Sequence, residues 1–230
     1  MAAEAIPGRI IQIRETIVNI CNHLGRNPEQ IRLMAVTKMH TLPEAEAAWK
    51  QGIRLFGENR VQEGTEKYAG FRDGRSAEIH LIGRLQRNKA KKAAEFFDCI
   101  QSVDRDELID ELGALTSDRN RPLNIFLEYH TGEESKAGFP DPESLYRAAE
   151  KVLSFPGLKP AGLMTMAPFT ADENAIRFSF RSCRIASEEL VKRFGSDWSG
   201  LSMGMSNDYK IALEEGANLL RIGTAIFGER

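Results

Sequence analysis

Apolar and polar positions along this chain fall into a repeating two-part rhythm. From Arg9 to Leu24, the residues Ile10, Ile13, Ile17, Ile20, Cys21 and Leu24 recur at spacings of three and four, which predicts an amphipathic helix closed by Gly25. IRLMAVTK, Ile31 to Lys38, is short, mostly apolar and bounded by polar turns, the pattern of a buried strand, here ending on a lysine. An alanine- and glutamate-rich block from Leu42 to Gly52 follows, with Pro43 at its start and a glycine at its stop, and predicts a helix.

The alternation continues to the end. Strands are expected at Arg54 to Asn59, Glu78 to Gly83, Cys99 to Asp104, Leu123 to His130, Leu158 to Met166, Trp198 to Met205 and Leu219 to Gly228. Helices are expected at Val61 to Tyr68, Lys89 to Phe97, Asp106 to Leu115, Pro142 to Leu153, Asp172 to Phe194 and Asp208 to Gly216. Eight strand–helix repeats without a break point to one α/β domain spanning residues 1–230, a closed (β/α)₈ TIM barrel rather than an open doubly wound sheet. No helix is expected after the last strand, and the extra N-terminal helix is the element available to cover that gap.

Composition narrows the class of partner. The chain has 31 Lys and Arg against 33 Asp and Glu, a formal charge of −2, which argues against coating nucleic acid or an anionic membrane and for a small ligand. Cys21, Cys99 and Cys183 form no C-x-x-C pair, and the four histidines have no ligand spacing, so neither a disulfide framework nor a metal site is expected. The opening MAAEAIPGRI lacks a cationic segment followed by an apolar block, and no apolar run approaches ~18 residues, so the expected location is cytoplasmic.

In a barrel of this kind, ligand groups gather where strands end. The last strand carries Arg221, Gly223 and Thr224: a guanidinium inside an apolar run needs a fixed acceptor, and a glycine and a hydroxyl at a turn offer donors to an anion. A structural carboxylate for Arg221 and a simple turn at Gly223 are the plain alternative. Lys38 ends the first strand after Leu33, Met34, Ala35 and Val36, surroundings expected to lower its pKa and make its amine nucleophilic, although a solvated lysine fits the same pattern. Closing the barrel sets the first strand beside the last. A lysine able to form a Schiff base, an arginine facing a ring nitrogen and a Gly-Thr-Ser cradle completed by Ser206 are the parts that hold pyridoxal 5′-phosphate.

AVTK (Ala35 to Lys38), FGEN-x-VQE (Phe56 to Glu63), IHLIGRLQRNK (Ile79 to Lys89), SVD (Ser102 to Asp104), GEESKAGF (Gly132 to Phe139), GLMTM (Gly162 to Met166), LSMGMS-x-D (Leu201 to Asp208) and RIGTAIFG-x-R (Arg221 to Arg230) follow in order along nearly the whole chain. With these motifs the sequence resembles the pyridoxal phosphate homeostasis protein family. The resemblance implies a barrel similar to the N-terminal domain of alanine racemase, the fold-type III arrangement, with pyridoxal phosphate as an aldimine on Lys38. It further implies that Ser206, Gly223 and Thr224 bind the phosphate, that Arg221 faces the pyridine nitrogen, and that Asn59 belongs to the cofactor pocket. A permanently charged guanidinium disfavours a protonated pyridine and so weakens the electron sink. The expectation is therefore a monomeric carrier and buffer of pyridoxal phosphate, supplying pyridoxal-phosphate-dependent apo-enzymes, with no catalytic residue assigned. A fold-type III racemase or decarboxylase is the alternative, and a barrel enzyme acting on a phosphorylated metabolite is a third.

Other residues invite functional readings that a plainer one matches. Arg84, Arg87, Lys89, Lys91 and Lys92 form a basic cluster best explained as a solvated face, with an anionic visitor as the alternative. His80 reads as a core histidine with a satisfied N–H. His130 departs from the family pattern, and His40 and His23 have no partner visible in sequence. Glu133, Glu134, Ser135 and Lys136, like Asp104 and Asp106, are catalytic by type but equally fit ion pairing around a loop before a helix.

Overall fold

In a computed structural model describing residues 2–117, 119, 121–132 and 137–229, parallel strands close into a barrel in simple sequence order. The strands are β1 (Arg32–Val36), β2 (Leu55–Glu58), β3 (Glu78–Leu81), β4 (Cys99–Val103), β5 (Leu123–Glu128), β6 (Leu158–Met164), β7 (Leu201–Ser202) and β8 (Leu219–Ile222). The helices are α1 (Ala2–His23), α2 (Leu42–Lys50), α3 (Val61–Lys67), α4 (Ala90–Phe96), α5 (Asp106–Thr116), α6 (Pro142–Leu153), α7 (Glu173–Phe194), α8 (Tyr209–Glu214) and α9 (Thr224–Phe227). The expected (β/α)₈ barrel is the observed fold.

Strand alternation sorts the apolar residues into two layers. Met34, Val36, Leu55, Cys99, Phe126, Met164 and Leu219 pack together in the lumen, while their neighbours Ala35, Phe56, Ile100, Ile125, Leu127, Leu163 and Leu220 face the helices. The outer layer is much the larger. At the turn of β6, Gly162 has a φ of 135°, and a Cβ there would lie 1.9 Å from the Gly200 carbonyl, so this close approach to the segment before β7 requires glycine.

The N-terminal helix does cover the closing gap. Its stripe of Ile6, Ile10, Ile13, Ile17 and Cys21 is buried, and it packs on α2, α8 and α9. The end of the chain departs from expectation: the strand expected to run to Gly228 stops at Ile222, and the apolar residues Ala225, Ile226 and Phe227 belong to the short helix α9. A run of three apolar residues does not by itself distinguish strand from helix, and Gly223 supplies the break. β7 is likewise only two residues long, because Trp198 lies in a 3-10 turn and Gly204, at φ 92°, bends the chain away. Among the described residues no helix is long and apolar enough to cross a membrane, and no cluster of histidine, cysteine and acidic residues could hold a metal.

Candidate functional site

The parallel pairing of β1 with β8 sets Met34 opposite Arg221 and Ala35 opposite Ile222. One step further, Gly223 lies against Val36, whose carbonyl oxygen would be 3.5 Å from an added Cβ. Lys38 stands two residues beyond Val36, so Lys38 and the Arg221–Gly223–Thr224 edge follow neighbouring strands on the same C-terminal rim. His40 ties the two chain regions further: its ring stacks on Phe227 at 4.4 Å, and its Nδ1 lies 3.1 Å from Glu44 Oε1. Sequence had shown no partner for it.

The surroundings of Lys38 require a correction. Met34, Ala35, Val36 and Thr37 are buried, but burial ends there and Lys38 is exposed. The expected apolar environment belongs to the strand below the amine rather than to the amine itself.

Arg221 is buried, and the acceptors in front of it are a hydroxyl and backbone carbonyls. Nη1 donates to the Ser202 carbonyl and, at 2.9 Å, to Ser202 Oγ, while Nη2 donates to the Thr165 carbonyl at 2.8 Å. Burial pulls its pKa down to about 10, against the opposing attraction of Asp208 and Glu128, so the guanidinium stays charged at neutral pH. Below it a directed polar chain descends the lumen. Ser202 Oγ donates to Gln101 Oε1 at 2.6 Å, and Gln101 Nε2 donates to His80 Nδ1 at 2.9 Å. With Nδ1 accepting, the ring proton is assigned to Nε2, which faces Glu78 Oε2 at 3.3 Å. Burial pushes the His80 pKa down against the pull of Glu78, in keeping with a neutral core histidine. The chain ends at the base of the barrel, where Arg32 donates to Glu78 at 2.8 Å.

The remaining rim residues fall into place around this axis. Ser206 Oγ accepts the Ala225 N–H at 3.1 Å, which brings it beside Gly223 and Thr224 at the start of α9. Ile226 and Phe227 donate their N–H groups to the Gly223 carbonyl, so the donors this corner can offer are the Thr224 N–H and the hydroxyls of Thr224 and Ser206. Asn59 follows β2, half-buried, with its backbone packed on Gly83. Glu128, at the end of β5, is buried, and burial followed by repulsion from Asp104 pushes its pKa up to about 7. Glu128 falls within the strand expected at Leu123 to His130, and nothing local in the sequence announces its burial.

The basic cluster is an exposed face with acidic neighbours: Arg84 Nε lies 3.4 Å from Asp104 and Arg87 Nε 3.1 Å from Glu111. Asp104 also pairs with Arg105, as expected of a structural carboxylate. Within the His130 ring, Nδ1 is buried without a partner among the described residues. Glu133, Glu134, Ser135 and Lys136 lie outside the described residues.

Collected on one rim are an amine, a charged guanidinium, helix-start amides and hydroxyls. A guanidinium has no lone pair to offer, so a ligand atom meeting it must be an acceptor. An aromatic aldehyde with a ring nitrogen and a phosphate matches this donor set. Residues 10–230 match the family described as alanine racemase, N-terminal domain. A pyridoxal phosphate homeostasis protein of Aquifex aeolicus is 36% identical over 222 residues, 96% of this chain and 97% of that protein. The structure of PipY from Synechococcus elongatus with pyridoxal phosphate bound is 33% identical, with a TM-score of 0.84 over 97% of this chain and 100% of the other. Alanine racemase from Bacillus anthracis shares the fold at 19% identity and a TM-score of 0.71, and this chain covers 56% of it. By its motifs, its barrel and its full-length relatives, the chain belongs to the pyridoxal phosphate homeostasis protein family, built on the alanine racemase N-terminal domain.

Proposed function

We propose that this protein binds pyridoxal 5′-phosphate through Lys38, buffers it, and releases it to apo-enzymes that depend on it, so contributing to intracellular pyridoxal phosphate homeostasis without strong catalytic turnover. The observation that carries the reading is the closure of β1 against β8, which sets the Lys38 rim beside Arg221, Gly223 and Thr224. PipY, whose structure has pyridoxal phosphate bound, supports it. When bound, pyridoxal phosphate supplies an aldehyde that combines with amines and an electron-poor ring.

Each residue has a defined task in this reading. Lys38 offers the amine. Ser206, Gly223 and Thr224 donate to the phosphate, and Asn59 lines the pocket on the β2 side. Arg221 donates to the ring nitrogen and, remaining charged, keeps a proton off that atom. That is poor support for carbanion chemistry, which favours a carrier over a racemase or decarboxylase. The chain works in this reading as one barrel, residues 1–230, monomeric and cytoplasmic.

Borohydride reduction of the protein loaded with pyridoxal phosphate, followed by peptide mass spectrometry, tests the assignment. The expected result is a cofactor mass on the Lys38 peptide, absent in Lys38→Ala. Sustained exchange between D- and L-alanine that disappears in Lys38→Ala would reverse the choice of carrier over enzyme.

A further inference from the structure

The turn that carries Lys38 is gripped from α3. Lys67 Nζ donates to the Thr37 carbonyl at 2.6 Å, to Glu58 Oε1 at 2.8 Å and to Glu63 Oε1 at 3.1 Å. The Glu63 carboxylate also accepts the N–H of Met39. The Thr37 carbonyl belongs to the peptide unit before the Lys38 α-carbon, and the Met39 N–H belongs to the unit after it. Because each peptide unit is planar, holding both fixes φ and ψ of the residue between them, and with them the direction of its Cα–Cβ bond. One ion pair, four residues apart on a helix, therefore aims a single side chain.

Its construction goes beyond what stability asks for. Met39 sits at φ 60°, a left-handed conformation that L-residues with side chains avoid, so the turn needs outside support. Most of that support is buried: the Glu58 side chain is fully covered and the Lys67 side chain 8% exposed, with Glu63 24% exposed at the edge. Glu58 also accepts from Thr37 Oγ1 at 2.7 Å, with Tyr68 OH 2.7 Å from the same hydroxyl. One Glu58 oxygen, Oε2, is buried without a partner among the described residues. Desolvating these charges is costly, and well-packed apolar side chains would stabilise the same interface at least as well. An arrangement that is poor as a stabiliser and specific in geometry points to positioning.

We propose that Lys67 and Glu63 are positioning residues for the Lys38 amine: by fixing the two peptide units around Lys38, they set how readily that amine captures the cofactor aldehyde, and they make no contribution to holding the phosphate or ring. The proposal rests on the assignment of Lys38 as the cofactor amine.

The test compares two probes on the full chain. Pyridoxal 5′-phosphate reports amine capture, while pyridoxine 5′-phosphate, with an alcohol in place of the aldehyde, reports only the non-covalent site. In Lys67→Met, capture measured by stopped-flow absorbance should slow, and affinity for the aldehyde should fall, by about tenfold or more, with pyridoxine 5′-phosphate affinity changing less than about twofold. Glu63→Gln, nearly isosteric, should move both readouts in the same direction by less, and it carries the test if Lys67→Met fails to fold. Lys67→Arg should restore part of the capture rate. Equal loss of both ligands would make the cluster merely structural, and unchanged capture would likewise overturn the proposal. Absence of covalent capture by the wild-type protein would instead refute the Lys38 assignment, before any variant is compared.

Discussion

The two sides of the rim are held by opposite means. On the β1 side the supports are charged, lie outside the barrel behind the strand, and grip the backbone around an exposed Lys38. On the β8 side they are neutral, lie within the barrel, and grip the side chain of a buried Arg221 itself. In the proposed function, one support directs the group that forms and breaks a bond. The other immobilises a charge that must not move. The proposed carrier uses both, because a ring held against a fixed guanidinium is reached by an amine whose backbone is set from behind the strand.

The largest effect should come from the β8 side. Arg221→Met strips the Ser202 and Thr165 carbonyls and the Ser202 hydroxyl of their donor, at a cost of about 3–5 kcal/mol, read as a drop of roughly 10 °C in melting temperature. A loss below about 1 kcal/mol would show that these bonds do not anchor the lumen.

Next in size is a change of opposite sign. The Glu128 carboxyl has its pKa raised from 4.5 to about 7 in the folded chain, so the unfolded state binds fewer protons between those values and stability falls as pH rises through that window. Glu128→Gln should therefore gain up to on the order of 3 kcal/mol above pH 7 and little near pH 4.5, measured as melting temperature against pH. A flat difference across that range would mean that this carboxyl is not buried as described.

Gln101→Leu leaves the Ser202 hydroxyl and His80 Nδ1 without their partner and should cost about 2 kcal/mol. It also sharpens the contrast between the two supports. Acting through Arg221, it should weaken pyridoxine 5′-phosphate binding, the ligand that Lys67→Met is expected to spare. On the β1 side, Thr37→Val removes the hydroxyl shared by Glu58 and Tyr68 and should cost about 1–2 kcal/mol in chemical denaturation. Smallest of all, Arg87→Ala at an exposed ion pair should change stability by no more than about 0.5 kcal/mol.

Much of this molecule is legible in its sequence, and the reasons are local. Short apolar runs alternating with helical stripes identify the strands, and α6 runs from Pro142 to Leu153 as expected because Pro142 opens it and Asp141 caps it. The chain-end pair of Lys38 and Arg221 is legible because barrel closure follows from counting repeats. What escapes are contacts whose partners lie far apart or change character on folding. Gln101 and Ser202 are 101 residues apart, each an unremarked polar residue within an apolar strand, and only the lumen makes them one chain. Glu63 and Lys67 look like an ordinary surface pair on a helix, and their hold on Thr37 and Met39 depends on how α3 packs behind β1. Thr224 to Phe227 reads as strand in sequence and folds as helix because three consecutive apolar residues carry no usable period.

The order in which the barrel closes has a consequence during synthesis. A ribosome adding about 5–20 residues per second releases Lys38 on the order of ten seconds or more before Arg221. Until β8 slots in beside β1, the nascent polypeptide has Lys38 without the Arg221–Gly223–Thr224 edge next to it. In the proposed function, cofactor capture should therefore coincide with the final folding step, making the loaded state a report that the whole cylinder has been completed.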